Sequence, residues 1–281
     1  MNSAAVTTVV TGIPSVVLAL VATLLPTPVH AQMLTIPAGW IATAEPSGPF
    51  EEHSKLFEAS HSEREWRVRV SAPTGQLEIR DDGKRTHDEG SVFPPHFHRT
   101  KDMIGRAMTV GAGGNWLVGF DAGEFGGGLW WTSQDGKRTK LLTRENVQAF
   151  VPREKDVLVF TGLSHMGHDR GAAYLFRSTD DDGELTRIAD LDSAPSAALL
   201  ENNGSVLIAV SNGVVTLRPD GSVVRLYKHE EMPILYPNSI AGAENDAVFV
   251  GMRFYVLRLH RGADGKFEST WFERSSKRRK W

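Results

Sequence analysis

Five Asp-Gly pairs recur along this chain, Asp82-Gly83, Asp135-Gly136, Asp182-Gly183, Asp220-Gly221 and Asp264-Gly265, at intervals of roughly 40 to 50 residues. Each follows a short run of strand-forming residues and precedes another, and an Asp-Gly pair supplies the positive φ angles of a tight hairpin turn. The preceding runs are Leu77 to Arg80, Leu129 to Thr132, Ala173 to Phe176, Val214 to Leu217 and Tyr255 to Leu259. Upstream of each lies a second apolar run: Trp66 to Val70, Trp116 to Phe120, Val157 to Thr161, Val206 to Val210 and Ala247 to Gly251. In the last four units a further segment comes first, at Arg106 to Val110, Val147 to Val151, Ala197 to Leu200 and Ser239 to Ala241. A more polar strand follows each Asp-Gly pair, as in Leu185 to Leu191 or Val223 to Tyr227.

Each unit thus reads as strand, turn, strand, turn, strand, Asp-Gly, strand. Four short antiparallel strands cannot bury both of their own faces, so such units cover one another by standing side by side in a ring. The expected fold is all-β, a β-propeller of about five four-stranded blades spanning 66–273. Six blades result if residues 32–65 contain a degenerate one, and a β-sandwich is the competing architecture. Helical periodicity is confined to a short stretch around Phe50 to Ser60. Gly39 to Thr43 can serve as the innermost strand of the first blade or pair with the last blade to close the ring, and the sequence leaves both open.

The first 31 residues contain no Asp, Glu, Lys or Arg, and Val16 to Leu25 form an apolar run bounded by Pro14 and Pro26. Val29-His30-Ala31 then offers small residues where a signal peptidase reads, so cleavage is expected after Ala31 and the product is secreted or periplasmic. An uncleaved N-terminal anchor over Ala4 to Leu25 is the alternative. With no cysteine there is no disulfide and no disulfide-linked partner, and stability rests on core burial. Acidic residues outnumber basic ones by 34 to 31, which argues against nucleic acid as a partner and leaves an envelope protein or a glycan. The basic cluster Lys277 to Lys280 sits in a terminal tail, 274–281.

Ser133-Gln134-Asp135-Gly136 and Ser178-Thr179-Asp180-Asp181-Asp182-Gly183 resemble degenerate Asp-boxes of the sialidase-type propellers, each one residue off in spacing. In that family the box is a peripheral turn, so the resemblance implies architecture and no catalytic role. Pro237-Asn238-Ser239-Ile240-Ala241 followed by Ala247 to Gly251 is similar to the start of a blade in the gluconolactonase and NHL-type propellers. That resemblance implies an Asn facing the central channel and carries over Asn238 alone.

In a propeller, the connections between second and third strands open on the same face as the connections from blade to blade. On this reading that face receives Asp121 and Glu124 from unit two, and His165, His168 and Asp169 from a loop spanning Leu163 to Gly171. It also receives His96 and His98 from the connection into unit two, and Tyr236 and Asn238 from the connection into unit five. The four histidines His96, His98, His165 and His168, brought together beside Asp121, Glu124 or Asp169, would suit a divalent metal such as Zn²⁺. None of the short metal motifs is present, and solvated loop histidines are the plain alternative. Trp130 and Trp131 are adjacent on a strand and must face opposite sides of their blade. No nucleophile elbow or catalytic carboxylate pair can be assigned. The functional expectation is a noncatalytic ligand- or protein-binding module of the cell envelope, with a glycan- or lactone-directed hydrolase or lyase, metal-assisted or not, as the alternative.

Overall fold

The computed structural model describes residues 35–71, 74–83, 92–179, 182–242 and 247–275. The expected leader, its cleavage point and the Lys277 to Lys280 cluster lie outside these residues. Strand β1 (Trp40–Thr43) and a short helix α1 (Lys55–Ser60) precede five sheets. Unit one holds β2 (Trp66–Val70) and β3 (Leu77–Asp81). Unit two holds β4 (Arg106–Ala112), β5 (Asn115–Asp121), β6 (Gly127–Thr132) and β7 (Thr139–Thr143). Unit three holds β8 (Val147–Pro152), β9 (Val157–His165), β10 (His168–Ser178) and β11 (Gly183–Leu191). Unit four holds β12 (Pro195–Leu200), β13 (Val206–Val210), β14 (Gly213–Leu217) and β15 (Val223–Lys228). After helix α2 (Met232–Leu235), unit five holds β16 (Ser239–Gly242), β17 (Ala247–Gly251), β18 (Tyr255–Arg261) and β19 (Phe267–Arg274).

Every pairing is antiparallel and follows chain order, with one exception that decides the question the sequence left open. β1 joins the outer edge of β19, Trp40 opposite Arg274 and Thr43 opposite Trp271, so the fifth sheet has five strands and is tied by a segment from the other end of the ring. The Trp40 indole stands edge-on to Trp66 at 4.8 Å between ring centres, linking this strand to unit one as well.

The side-by-side expectation is met layer by layer. Strand residues alternate faces, and each face packs into a separate apolar layer with the next unit. Leu117, Leu129 and Trp131 of unit two meet Val157, Val159 and Phe176 of unit three. Phe160 and Leu158 meet Ile208, Val210 and Val215 between units three and four. Leu207, Ala209 and Val214 meet Val250, Leu257 and Trp271 between four and five, with Leu56 of α1 and Met232 and Leu235 of α2 added to the layer. Phe249 and Val256 meet Trp66 and Val68 between five and one. Each fully buried side chain in these layers contributes about 1.5–3 kcal/mol relative to exposure.

Unit one departs from the four-stranded pattern. Among the described residues it is a two-stranded hairpin, and β2, expected as a second strand, lies directly beside the first strand of unit five, where the Val68 N–H donates to Ser239 Oγ at 3.0 Å. The segment expected to follow Asp82-Gly83 as a closing strand lies outside the described residues. One face of unit two is covered by the connection from unit one, whose Phe93, Phe97 and Met103 pack on Val118, Phe120 and Trp130. Trp130 and Trp131 do face opposite sides, and both are buried.

The Asp-Gly turns also differ in detail from a two-residue turn with positive φ at both positions. Among the described residues no Asp has positive φ, and the glycine alone takes it, as at Gly136 (77°), Gly221 (86°) and Gly265 (80°). In each of these turns the Asp side chain accepts the N–H of the residue after the glycine: Lys137 on Asp135 at 3.1 Å, Ser222 on Asp220 at 2.9 Å and Lys266 on Asp264 at 3.0 Å. Ser133 Oγ adds a bond to Asp135 at 2.8 Å, and these donors hold the Asp135 carboxyl down to about 2. Gly183 is extended and opens β11; a Cβ there would stand 2.2 Å from the Phe176 ring, so close packing requires glycine at this position. Asp82-Gly83 lies at the opposite end of the ring from the other pairs. Its neighbour across β2 and β3 is Trp66, whose N–H donates to Met252 in the β17–β18 connection, whereas Asp264-Gly265 joins β18 to β19.

Candidate functional site between units two and three

We call the face carrying the second-to-third-strand and unit-to-unit connections the upper face. Here β9 and β10 outgrow the sheet. The segment Leu163 to Gly171, expected as a loop, is strand up to the two-residue turn Met166-Gly167, whose φ angles of 44° and 85° close a tight hairpin. His165 and His168 are therefore directly paired across the arms. The arm leans over unit two, and His165 Nε2 reaches Glu124 Oε2 at 2.5 Å. Glu124 is fixed by a turn of 3-10 helix, Gly123–Phe125, which Asp121 caps by accepting the Gly123 N–H at 3.0 Å.

Under the arm is a cleft of about 320 Å³ lined by Glu124, Arg144, Glu145, Asn146, Arg170 and Arg187. Its floor is a hydrogen-bonded set. Glu145, in the β7–β8 connection, accepts from the Tyr174 hydroxyl at 2.9 Å and from the buried Thr161 hydroxyl. Burial first, and the Glu145 carboxylate second, raise the Tyr174 phenol above its ordinary value, so it stays the donor. Asn146 donates to the Gly123 carbonyl at 2.7 Å and ties the floor to the Glu124 turn. Arg187 pairs with Asp190 and lies over the Tyr174 ring at 5.9 Å. Arg144 approaches Asp102 only to 3.9 Å with both groups exposed, an arrangement worth little. Arg170 projects from β10 into the cleft with no ion-pair or hydrogen-bond partner among the described residues.

The expected histidine cluster does not assemble. The His96 N–H donates to the Asp135 carbonyl at 3.1 Å, and the Gly136 Cα faces the His96 and Phe97 backbone so closely that a Cβ would stand 2.6 Å from the Phe97 nitrogen. This ties the Pro94 to His98 segment to the β6–β7 turn, on the lower face, while His165 and His168 sit at an upper-face turn. The physical reason is that the long connection into unit two first descends to cover the Trp130 face before rising to Gly105 beside Asp121. Among the described residues no three His, Asp or Glu groups converge as ligands for a metal ion.

The remaining predicted residues have separate structural partners. Asp169 accepts from the Ser211 hydroxyl at 2.6 Å and the Ala194 N–H at 2.8 Å, joining units three and four. Asp121 lies 3.6 Å from Arg106. Tyr236 ends α2 at a φ of 55° with the Arg253 guanidinium 3.6 Å above its ring. Asn238 donates its backbone N–H to Gly251 at 2.9 Å and accepts from the Ser239 hydroxyl at 2.8 Å. Sequence reasoning missed Arg144, Glu145, Arg170 and Arg187. The topological signal for Arg144, Glu145 and Arg170 was present, since the first two form a unit-to-unit connection and Arg170 lies in the segment Leu163 to Gly171 expected as a loop on that face, but Arg187 belongs to a strand.

With ring, faces and cleft in place, the architecture is that of a β-propeller of five units. No protein-family model matches the chain, and no curated protein matches its sequence. Solved structures similar to it in shape include virginiamycin B lyase from Staphylococcus aureus, 17% identical with a TM-score of 0.41, covering 74% of this chain and 69% of that one. An auxiliary nutrient binding protein from Bacteroides ovatus is 11% identical with a TM-score of 0.38, covering 57% of this chain and 40% of that one. An engineered GH43 glycoside hydrolase is 13% identical with a TM-score of 0.33, covering 60% of this chain and 41% of that one. Values this low leave the function to be argued from the site itself.

Proposed function

We propose that the protein is an exported, noncatalytic binding propeller whose ligand is a small polyhydroxylated molecule with an anionic group, held in the cleft between units two and three. The observation that carries this reading is the unpartnered Arg170 guanidinium over a polar floor in which Glu145 is satisfied by the Tyr174 and Thr161 hydroxyls and the buried Asn146 Oδ1 has no hydrogen-bond partner. Arg170 is exposed, and its guanidinium can take a carboxylate or phosphate with two parallel hydrogen bonds, while Arg144 adds positive potential at the same opening. A hydrolase or lyase would need a proton donor facing the substrate. Both Glu145 oxygens accept from hydroxyls, so this carboxylate has no proton to give a substrate, which favours binding over turnover.

Titration calorimetry of the protein purified from the cell envelope, with uronic acids against the matching neutral sugars, tests the reading. Uronates are expected to bind and neutral sugars to bind at least about tenfold more weakly, with the preference lost in Arg170→Ala at unchanged melting temperature. Equal affinity for charged and neutral sugars, or an Arg170→Ala protein that binds as before, overturns it. Intact mass of the same material tests export separately, the expected first residue being Gln32.

A further inference from the structure

The lower face of units three to five carries a second feature, with chemistry unlike that of the cleft. Two grooves open there. One, of about 670 Å³, runs between units four and five; the other, of about 360 Å³, runs between units three and four. Arg218 lines both, and the Asn203-Gly204-Ser205 turn stands between them, so the two adjoin across the end of the unit-four sheet. Six basic side chains line the combined trough, Arg153, Arg177, Arg218, Arg225, Arg261 and Lys266, against the acidic Glu201 and Asp220. This concentration of positive charge occurs in a chain whose formal net charge is −3.

Not all six are available. Arg153 is held by Asp156 at 2.5 Å, and Arg225 by Asp192 and by Asn212 at 2.9 Å. Arg261 donates to the Gly265 carbonyl at 2.9 Å and covers the Phe267 ring at 4.8 Å. Lys266 comes no nearer to Asp264 than 3.9 Å. Arg177 and Arg218 are exposed and have no hydrogen-bond or ion-pair partner among the described residues, although Arg218 is close enough to help depress the Asp220 carboxyl after the Ser222 hydrogen bonds. The uncommitted cations are thus distributed along the trough, Arg177 in one groove, Arg218 at the junction and Lys266 in the other.

We propose that this trough binds an acidic polysaccharide chain. A row of separated cations matches an extended ligand with repeated anionic groups better than it matches one small ion. Between the cations, Asn203, Ser205 and Thr216 present amide and hydroxyl groups suited to sugar hydroxyls. Single-stranded nucleic acid would need exposed rings for its bases to stack on. Among the described residues the one aromatic side chain lining the trough, Phe267, is covered by Arg261. The site is distinct from the upper cleft and does not depend on the function proposed for it.

The test uses the full-length protein with polygalacturonate and heparin as probes, at about 50 mM and about 150 mM salt, because exposed charge pairs weaken as the screening length shortens. The double substitution Arg177→Glu and Arg218→Glu is compared with Lys101→Glu and Lys137→Glu, which change the net charge equally on unit two and its connection. Both polysaccharides are expected to bind at low salt, more weakly at high salt. Their affinity should fall at least about tenfold in the trough variant and less than about threefold in the control. No binding at low salt, or an equal loss in both variants, overturns the proposal. Single-stranded DNA bound as tightly as the polysaccharides would replace the sugar-specific reading with simple charge attraction and overturns it as well. Unchanged melting curves for both variants establish that the fold is intact.

Discussion

Replacing Trp40 by Ala isolates the contribution of the closing strand. Trp40 is 8% exposed, sits edge-on to Trp66 at 4.8 Å and 77°, and lies on a strand of only four residues. Removing an indole from such a site costs about 3–5 kcal/mol, of which the ring pair accounts for roughly 0.5–1.5. A domain of ordinary stability has about 5–15 kcal/mol in total, so the midpoint of urea unfolding should move substantially. Ile41, next in sequence and on the other face of β1, is 47% exposed, and Ile41→Ala should cost only about 1 kcal/mol. Urea titrations followed by far-UV circular dichroism give both values on the same scale. If Trp40→Ala costs less than about 1 kcal/mol, or no more than Ile41→Ala, then β1 is an adornment of the fifth sheet and not a structural closure.

Three further outcomes are expected. Burial, with the Glu273 and Glu58 charges behind it, pushes the Tyr255 phenol up to about 12. The unfolded chain then releases this proton first, near pH 10, so stability should fall between pH 10 and about 12 by roughly 1 kcal/mol per unit, an arm that Tyr255→Phe flattens in pH-dependent melts. A Cβ on Gly171 would meet Pro195 Cδ at 2.6 Å and the Ser193 carbonyl at 2.8 Å, so Gly171→Ala should cost about 2–3 kcal/mol in chemical denaturation and weaken uronate binding beside Arg170. Ser54 Oγ caps α1 by accepting the Phe57 N–H at 3.1 Å, and Ser54→Ala should lower stability by about 1 kcal/mol in the same assay.

The parts of this molecule legible in its sequence are those fixed by neighbours along the chain. An Asp followed by Gly caps the next N–H and takes positive φ whatever surrounds it, so Asp135-Gly136, Asp220-Gly221 and Asp264-Gly265 identified hairpins, and the apolar runs between them identified strands. Gly183 shows the limit of that reading, because its role is set by the Phe176 ring and not by a turn. His96 lies in a hydrogen-bonded turn, the Phe97 N–H donating to the Pro94 carbonyl at 3.0 Å, and nothing local states that Phe93 and Phe97 carry the segment across one face of unit two. The cleft was hidden for a related reason. Arg170 and Arg187 enter it from paired strands, and only the ring brings them to the Glu145 connection.

The pairing of β1 with β19 also has a consequence in time. Hairpins such as β9–β10 and β13–β14 join residues close in sequence and can form within microseconds of each other in any order, whereas Trp40 can reach Arg274 only after every intervening unit has been made. A chain emerging from its amino end therefore presents the indole of Trp40 as an unsatisfied surface until β19, the last strand, is released. Until the two have paired, β19 of one molecule can accept β1 of another as readily as its own, which makes strand exchange between crowded, incompletely closed rings the characteristic error of this fold.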